Sequence, residues 1–366
     1  MMTTQDLAYM RMAYGLAEKA RGRSSPNPLV GSVIVRQGAI IGYGYHEEAG
    51  KPHAEIMALG KAGRRAKGAT IYVTLEPCVH WGRTPPCVDS LIASGLRRAV
   101  ISAYDPNPVV YKKGVSRLRK AGIEVSVGLF EEKNARLNEA YAKYITRKIP
   151  FVTLKAALTL DGKTATRTGD SRWISAAGTR NYVHLLRGEH DALMIGIYTL
   201  IKDDPLLTVR HPNWGGKTIT RVILDPELRM PLASRILATL PAGPILVFAR
   251  EEAPPGKADV LRKKGAEIIP LRKSWRAGGL ESVLVELGRR EISSLLVEGG
   301  SRLQTGFIDS RLADKIVLTV SPKLVGGRDA PGFLAGEGVR RIAEALPVKS
   351  LRAFRLGDDL VLEGYL

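Results

Sequence analysis

Cysteine is nearly missing from this chain, with two in 366 residues, too few for a disulfide framework. Aromatic residues are scarce at 6%, which leaves little material for the stacking platforms of single-strand nucleic-acid binders. No run approaches the roughly 20 apolar residues of a membrane span. Asp6, Arg11, Glu18 and Lys19 interrupt any signal-like core near the N-terminus, so a cytoplasmic protein is expected. Acidic residues are also short: 36 Asp and Glu stand against 55 Lys and Arg, a formal charge of +19. The excess runs along the whole chain and is not gathered into a tail. It points to anionic partners, nucleic acid or phosphorylated small molecules, or else to a solvated basic surface.

What is present is globular in character, since 45% hydrophobic residues are enough to build cores. The length suggests two or three domains. Thr3 and Asp6 have capping-box spacing ahead of Leu7, Met10, Tyr14 and Ala17, a helical pattern that Pro26-Asn27-Pro28 ends. A hairpin of strands 29–35 and 39–45 follows, turning at Gln37-Gly38. A helix over 53–65 has Ile56 and Leu59 on one face. Strands at 70–76, 98–104 and 123–128 alternate with helices at 86–94, 115–121 and 131–146. This implies a layered α/β domain with a largely parallel sheet. The pattern breaks at Arg147-Lys148-Ile149-Pro150, giving domains 1–148 and 149–366. The second has strands at 151–160, 191–197, 220–225, 244–249, 266–271, 294–300 and 314–327, with helices at 176–187 and 280–288. Its Pro/Gly-rich stretch 241–256 reads as a loop within the domain.

The chemistry concentrates at His53-Ala54-Glu55 and in CVHWGRTPPC (78–87), which holds both cysteines of the chain. His53, Cys78 and Cys87 offer three ligands to zinc, leaving a fourth tetrahedral position for water, as catalytic zinc requires. Glu55 is placed to take that water's proton and pass it to a departing amine. Zinc nucleobase deaminases carry H-x-E…P-C-x-x-C, and here the second interval is C-x8-C. PNPLVG (26–31), GYH (44–46), HAE (53–55), TLEPC (74–78) and HWGRTPPC (80–87) closely resemble the deaminase half of the bifunctional riboflavin-biosynthesis enzymes. The resemblance implies a cytidine-deaminase-like three-layer domain with one zinc per chain. Its implied reaction is attack by zinc-bound hydroxide on 2,5-diamino-6-(5-phosphoribosylamino)pyrimidin-4(3H)-one, releasing ammonia. Asn27 either offers a fixed donor–acceptor pair to a base edge or serves as a turn residue. His46 and His80 are candidates for the ring or the ribose phosphate, or else ordinary loop histidines. Arg83 suits a phosphate. Asp105 and Asn107, in DPNP after a strand, are candidate ligand contacts or a structural turn.

The second domain has no His/Cys cluster and no G-x-G-x-x-G. Gly299 and Gly300 follow a buried strand and precede a helix, where free N–H groups could face an anion. LKAALTLDGKTA (154–165), GDSRWIS (169–175), LLRGEHDALMIG (185–196), TLIKDDPLLTVR (199–210), LVEGG (296–300) and SPKLVGG (321–327) look like the reductase half of the same family. The implied fold is dihydrofolate-reductase-like, and the implied reaction is NADPH-dependent reduction of the ribosyl group to ribityl. By resemblance, Ala157, Trp173, Thr199 and Asp203 contact the cofactor, with the run Gly300, Ser301, Arg302, Leu303, Gln304, Thr305 and Gly306. Ser171, Arg187, Leu207, Arg210 and Glu298 contact the substrate, the two arginines suiting its phosphate and Glu298 its hydroxyls. Lys155 and Asp161 flank the cleft without an assigned role. The expected partners are a phosphorylated small molecule and other copies of the chain, with neither nucleic acid nor membrane. A tRNA-type base deaminase with an appended RNA-binding domain would also suit +19. It would need aromatics interleaved with basic runs, and the sequence has no such cluster. A non-catalytic nucleotide binder would be marked by a missing ligand or missing acid–base group, yet all four residues are there.

Overall fold

Thr3 accepts the Asp6 N–H while the Asp6 carboxylate accepts the Thr3 N–H. This closed capping box starts α1 (Thr4–Ala17). The computed structural model describes residues 3–82, 84–271 and 278–366. It divides into two compact units, Met1–Lys148 and Ile149–Leu366. In the first unit, β1 (Gly31–Arg36) and β2 (Ala39–Tyr45) form the expected hairpin. Gln37 and Gly38, both at positive φ, make its two-residue turn. The order then runs α2 (Ala54–Ala62), β3 (Thr70–Val73), α3 (Cys87–Ala93), β4 (Arg98–Ile101), α4 (Lys113–Lys120), β5 (Glu124–Val127), α5 (Glu131–Leu137) and α6 (Glu139–Arg147).

The sheet order is β2-β1-β3-β4-β5. β1 is antiparallel to both its neighbours, and only β3, β4 and β5 run parallel. The sheet is therefore mixed where a largely parallel one was expected. The tight hairpin forces β1 against β2, and α2 then carries the chain across β1 to β3. Apolar side chains alternate across the strands. Ile34, Ile71 and Val73 join one core with α2, α3 and α4, while Val33, Tyr72 and Val100 pack on α1. The expected single helix 131–146 is broken at Asn138. That buried side chain accepts the Leu29 N–H at 2.7 Å and donates to the Leu29 carbonyl at 3.2 Å.

Glycine sets the height of α2 over the sheet. A Cβ on Gly42 would stand 2.2 Å from the Ala58 carbonyl oxygen, and one on Gly44 would stand 2.3 Å from Met57 Cβ. The helix answers with alanine, so Ala54, Ala58 and Ala62 are buried while Ile56 and Leu59 are only partly so. Opposite, Asp6 is buried beneath α1. It receives a 2.7 Å hydrogen bond from the Tyr72 hydroxyl and two from Arg98 at 2.9 and 3.1 Å.

The second unit is a nine-stranded sheet ordered β10-β9-β8-β7-β11-β6-β12-β14-β13. Its strands are β6 (Phe151–Thr159), β7 (Ala192–Gly196), β8 (Thr220–Leu224), β9 (Ile245–Arg250), β10 (Ala266–Leu271), β11 (Ser294–Val297), β12 (Lys315–Ser321), β13 (Lys349–Leu356) and β14 (Asp359–Tyr365). Its helices are α7 (Ala177–Glu189), α8 (Ile197–Asp203), α9 (Pro255–Lys263), α10 (Leu280–Arg289) and α11 (Ser301–Asp309). β6 to β12 pair in parallel, and the β13–β14 hairpin closes one edge antiparallel. The strand expected at 244–249 is the buried β9, and the start of α9 also falls in 241–256, so the loop expected over that whole stretch is confined to the short connections between them. No helix among the described residues is long and apolar enough to cross a membrane.

Adding a methyl at Gly44 should cost about 3 kcal/mol in urea unfolding, because helix and strand backbones must part. A change under about 0.5 kcal/mol would refute the close-approach argument. Burial alone would raise the Asp6 pKa, but Arg98, the Thr3 amide and Tyr72 hold it near 2 against an ordinary 3.8. That stabilisation is full above pH about 4 and is lost as pH falls through about 2. Asp6→Asn should be about 2 kcal/mol less stable than the parent at pH 7, with the gap closing over that window in urea melts.

Candidate metal centre and ligand cleft

His53 is the N-cap of α2 but makes no side-chain cap bond, so its ring is free to turn elsewhere. Cys87 opens α3, and Cys78 follows β3 and Pro77. His53 Nδ1 lies 3.0 Å from Cys87 Sγ and 3.5 Å from Cys78 Sγ. One donor atom from each residue falls within 4.8 Å of the others. Thr84 Oγ1 hydrogen-bonds His53 Nε2 at 3.1 Å. With the proton on Nε2, the Nδ1 lone pair faces the two sulfurs. The Cys87 N–H donates to Cys78 Sγ at 3.2 Å. The Cys78 thiol is drawn down, first by its hydrogen bond with Cys87, while Cys87 is pushed up by the same pairing. One imidazole nitrogen and two sulfurs, converging and half to fully buried, fit zinc. Glu55 is buried on the first turn of α2, and burial pushes its carboxyl up to about 7 although His53 opposes the shift.

Asn27 and His46 belong to this cluster. The His46 ring packs edge-on to His53, with centroids 5.2 Å apart. The Asn27 amide stands 2.9 Å from His46 Nε2, and His46 Nδ1 stands 3.3 Å from the Pro52 carbonyl. Burial pushes His46 down, so its Nδ1 proton donates to Pro52 and the neutral Nε2 accepts from Asn27. His80 is half-buried, with Nδ1 enclosed and unpartnered among the described residues. Arg83 lies outside the described residues. Asp105 and Asn107 shape a turn: Asp105 Oδ1 accepts the Asn107 N–H at 2.8 Å and the Tyr141 hydroxyl at 2.9 Å. Asn107 Oδ1 accepts the Val109 N–H at 3.1 Å. Burial pushes Asp105 up to about 6. Sequence reasoning passed over Glu76, whose buried carboxylate accepts N–H groups from Asp105, Lys112 and Val115 at 3.2, 2.9 and 2.9 Å. It clamps that turn and the start of α4 beside Pro77-Cys78. An acid between a buried strand and a Pro-Cys pair was the available signal.

In the second unit a cleft of about 730 Å³ gathers Ala157, Ser171, Trp173, Arg187, Thr199, Asp203, Arg210, Glu298, Gly300, Ser301 and Gln304. Arg302 and Leu303 instead line a neighbouring cavity of about 540 Å³. Thr305 ties down a loop, its hydroxyl donating to the Ala335 carbonyl and accepting its N–H, and Gly306 lies further along α11. The run 300–306 is thus divided among the cleft, its neighbouring cavity and the body of α11. Leu207 packs in the apolar core, 2% exposed. Asp161 accepts the Val325 and Gly326 N–H groups and the Thr159 hydroxyl, which makes it a clamp on the loop after β12.

The cleft is organised by a fork. Arg187 Nε and Nη2 each donate at 2.7 Å to the two oxygens of Glu298, and Nη1 donates to the Thr208 carbonyl at 3.2 Å. Burial works against the Glu298 charge, but Arg187, with Lys155 and His184 adding, holds it near 2. Burial lowers the Lys155 ammonium, and Glu298 resists that shift. Arg210 also lines the cleft, with Lys155, Arg180 and Lys202, its Nη1 steadied by Thr208 Oγ1 at 3.0 Å. His184 was not anticipated. It lines the cleft, accepts the Arg210 N–H at Nδ1, and is pushed down to about 4 by burial and both arginines. Gln304 donates to the Lys155 carbonyl at 3.0 Å, and its buried Oε1 has no partner among the described residues.

Comparison with known proteins falls along the same division. Residues 3–103 match the cytidine and deoxycytidylate deaminase zinc-binding region, and residues 150–362 match the RibD C-terminal domain. The chain is 48% identical to riboflavin biosynthesis protein RibD of Aquifex aeolicus, over 98% of its own length and 97% of the relative's. A Thermotoga maritima diaminohydroxyphosphoribosylaminopyrimidine deaminase/5-amino-6-(5-phosphoribosylamino)uracil reductase superposes with a TM-score of 0.86. It is 37% identical, over 99% of this chain and 98% of that one. Acinetobacter baumannii RibD gives 0.87 at 36% identity, with the same coverage.

Elemental analysis of purified protein should find about one zinc per chain, retained by Glu55→Gln and reduced to below about a tenth by Cys78→Ala. Equal loss in both variants would overturn the division between ligands and acid–base group.

Proposed function

Because the chain belongs to the RibD family of riboflavin biosynthesis proteins, we propose that it catalyses two consecutive steps, one in each unit. The first unit hydrolytically deaminates diaminohydroxyphosphoribosylaminopyrimidine. The second reduces the ribosyl group of 5-amino-6-(5-phosphoribosylamino)uracil with NADPH. The observation that carries the reading is the convergence of His53, Cys78 and Cys87 beside the buried Glu55.

His53 Nδ1 and the two sulfurs would hold zinc. Bound zinc supplies the electrostatic pull that makes water nucleophilic near neutral pH. Glu55, pushed up to about 7, can accept a proton from that water and return it to the departing amine, because its two protonation states lie close in energy at working pH. Asn27 and His46 fix the wall of the pocket, and their mutual hydrogen bond holds the amide in one orientation for a pyrimidine edge. Arg83, His80, Asp105 and Asn107 remain in the proposal as substrate-side residues.

In the second unit, Ala157 on β6 and the Thr199–Gly300 wall suit the dinucleotide, which supplies hydride when bound. Arg210, unneutralised beside the neutral His184, suits the substrate phosphate. Glu298 can accept from ribose hydroxyls, and Arg187 acts through it by fixing its plane. We take the enzyme to act as a cytoplasmic homo-oligomer on a phosphorylated small molecule, without nucleic acid. The match of residues 150–362 to a reductase domain leaves the RNA-deaminase alternative without a carrier for its second half.

The parent should release ammonia from the diaminopyrimidine ribotide and then oxidise NADPH. Glu55→Ala should lower ammonia release by about 10²–10⁴-fold while still reducing the deaminated compound. Arg187→Ala should show the converse, losing about 10²-fold or more in NADPH oxidation because Glu298 is left buried without its cation. If either variant lost both activities alike with its fold intact, the one-step-per-unit assignment would fall.

A further inference from the structure

On α7 the side chains of His184 and Arg187 stand one helical turn apart on the same face, and both line the cleft of the second unit. They reach the same neighbour. Residues 204–211 form neither helix nor strand, so the backbone polar groups of this segment have no ladder to pair them. Side chains tie it down instead. Asp204 Oδ1 accepts the Arg235 N–H at 2.9 Å, and Leu207 is sunk in the apolar core. From α7, Arg187 Nη1 donates to the Thr208 carbonyl at 3.2 Å, and His184 Nδ1 accepts the Arg210 N–H at 3.3 Å. Without His184, the tie from α7 lies two residues back from Arg210, at Thr208.

Arg210 makes no ion pair among the described residues. Burial and the charges of Arg187 and Arg235 weigh against its guanidinium, and Glu298 offsets them only in part. A phosphate placed against it relieves that cost. An amide N–H can only donate, so the Nδ1 that meets it bears no proton, and the ring's one proton sits on Nε2. Burial, Arg187 and Arg210 push the imidazole down to about 4, against Glu298 and the Thr208 carbonyl, so this tautomer persists at neutral pH. A second proton would set N–H against N–H and add a third cation beside the two arginines. The geometry points to His184 as a positioning residue of the reductase step, whose neutral ring fixes the backbone at Arg210 and so sets where that guanidinium meets the phosphate of the substrate. The inference rests on the proposed reading of the second unit as a reductase of a phosphoribosyl compound. Arg187 holds both Thr208 and Glu298. One turn of α7 therefore sets the spacing between the group for the sugar hydroxyls and the group for the phosphate.

The test is steady-state NADPH oxidation by the full-length, zinc-loaded protein on 5-amino-6-(5-phosphoribosylamino)uracil and on the same compound without its phosphate. Ribose 5-phosphate serves as a competitive inhibitor, and circular dichroism melts verify each fold. His184→Leu should raise the KM for the phosphorylated compound and the Ki of ribose 5-phosphate about tenfold, with kcat, and kcat/KM on the phosphate-free compound, moving less than about threefold. His184→Asn, which keeps an acceptor at the δ position, should return both constants to within about threefold of the parent. His184→Gln, whose amide lies at the ε position, takes the place of leucine if that variant does not fold. In an Arg210→Gln background the loss of His184 should add less than about threefold, because there is no guanidinium left to position. A penalty of about tenfold that persists in that background overturns the assignment. So does an equal loss on the two compounds, or an unchanged KM in the folded leucine variant. If the parent oxidises NADPH with neither compound, the reductase reading itself fails, and the proposal with it.

Discussion

A carboxylate taken out of water costs several kcal/mol unless cations or N–H donors meet it inside the protein, and both units are arranged around that requirement. Asp6 is met by Arg98, Tyr72 and the amide of Thr3, which locks α1 onto the sheet. Glu76 is met by three backbone N–H groups, and in receiving them it shapes the loop beside Cys78. Glu298 is met by the fork of Arg187 at the carboxyl end of the strand β11. Glu55 is the exception. Burial dominates there and raises its carboxyl to about 7, although His53 opposes the shift. The first three acids fix their surroundings through these partners, whereas burial brings Glu55 to titrate near neutral pH.

The same requirement explains which parts of the molecule were legible in the sequence. The convergence of His53, Cys78 and Cys87 could be read because their atom types and order match those a metal site demands. The strands of the two cores could be read because their side chains meet apolar neighbours, and the capping box because it is entirely local. The pairing of Arg187 with Glu298 joins residues 111 positions apart and has no local trace. Glu76 was missed because its partners are backbone groups, which carry no residue identity. β13 was missed because it is a sheet-edge strand exposed along most of its length, so no hydrophobic alternation marks it. Within 241–256 the strand was legible from its apolar run, but the start of α9 was read as loop because its prolines, usual signs of a loop, open that helix.

Charge is accounted for in part. Arg187, Arg98 and Arg250 are neutralised by specific acids, and Arg221, fully buried in β8, is met by the Thr239 hydroxyl and carbonyl groups. Lys155, Arg180, Lys202, Arg210, Arg229 and Arg302 line the cavities of the second unit. These cations suit an anionic ligand. They do not explain +19, most of which lies on solvated surface.

The long interval between the two cysteines has a consequence beyond the pocket. Thr84, inside it, is the residue that touches the outer nitrogen of His53. A loop of this kind is ordinarily judged as a gate, by what it admits. Here the segment also fixes the ring of a candidate metal ligand. Shortening the interval to C-x-x-C would remove that hydrogen-bond partner, so a change in the length of the loop would also free the imidazole to turn.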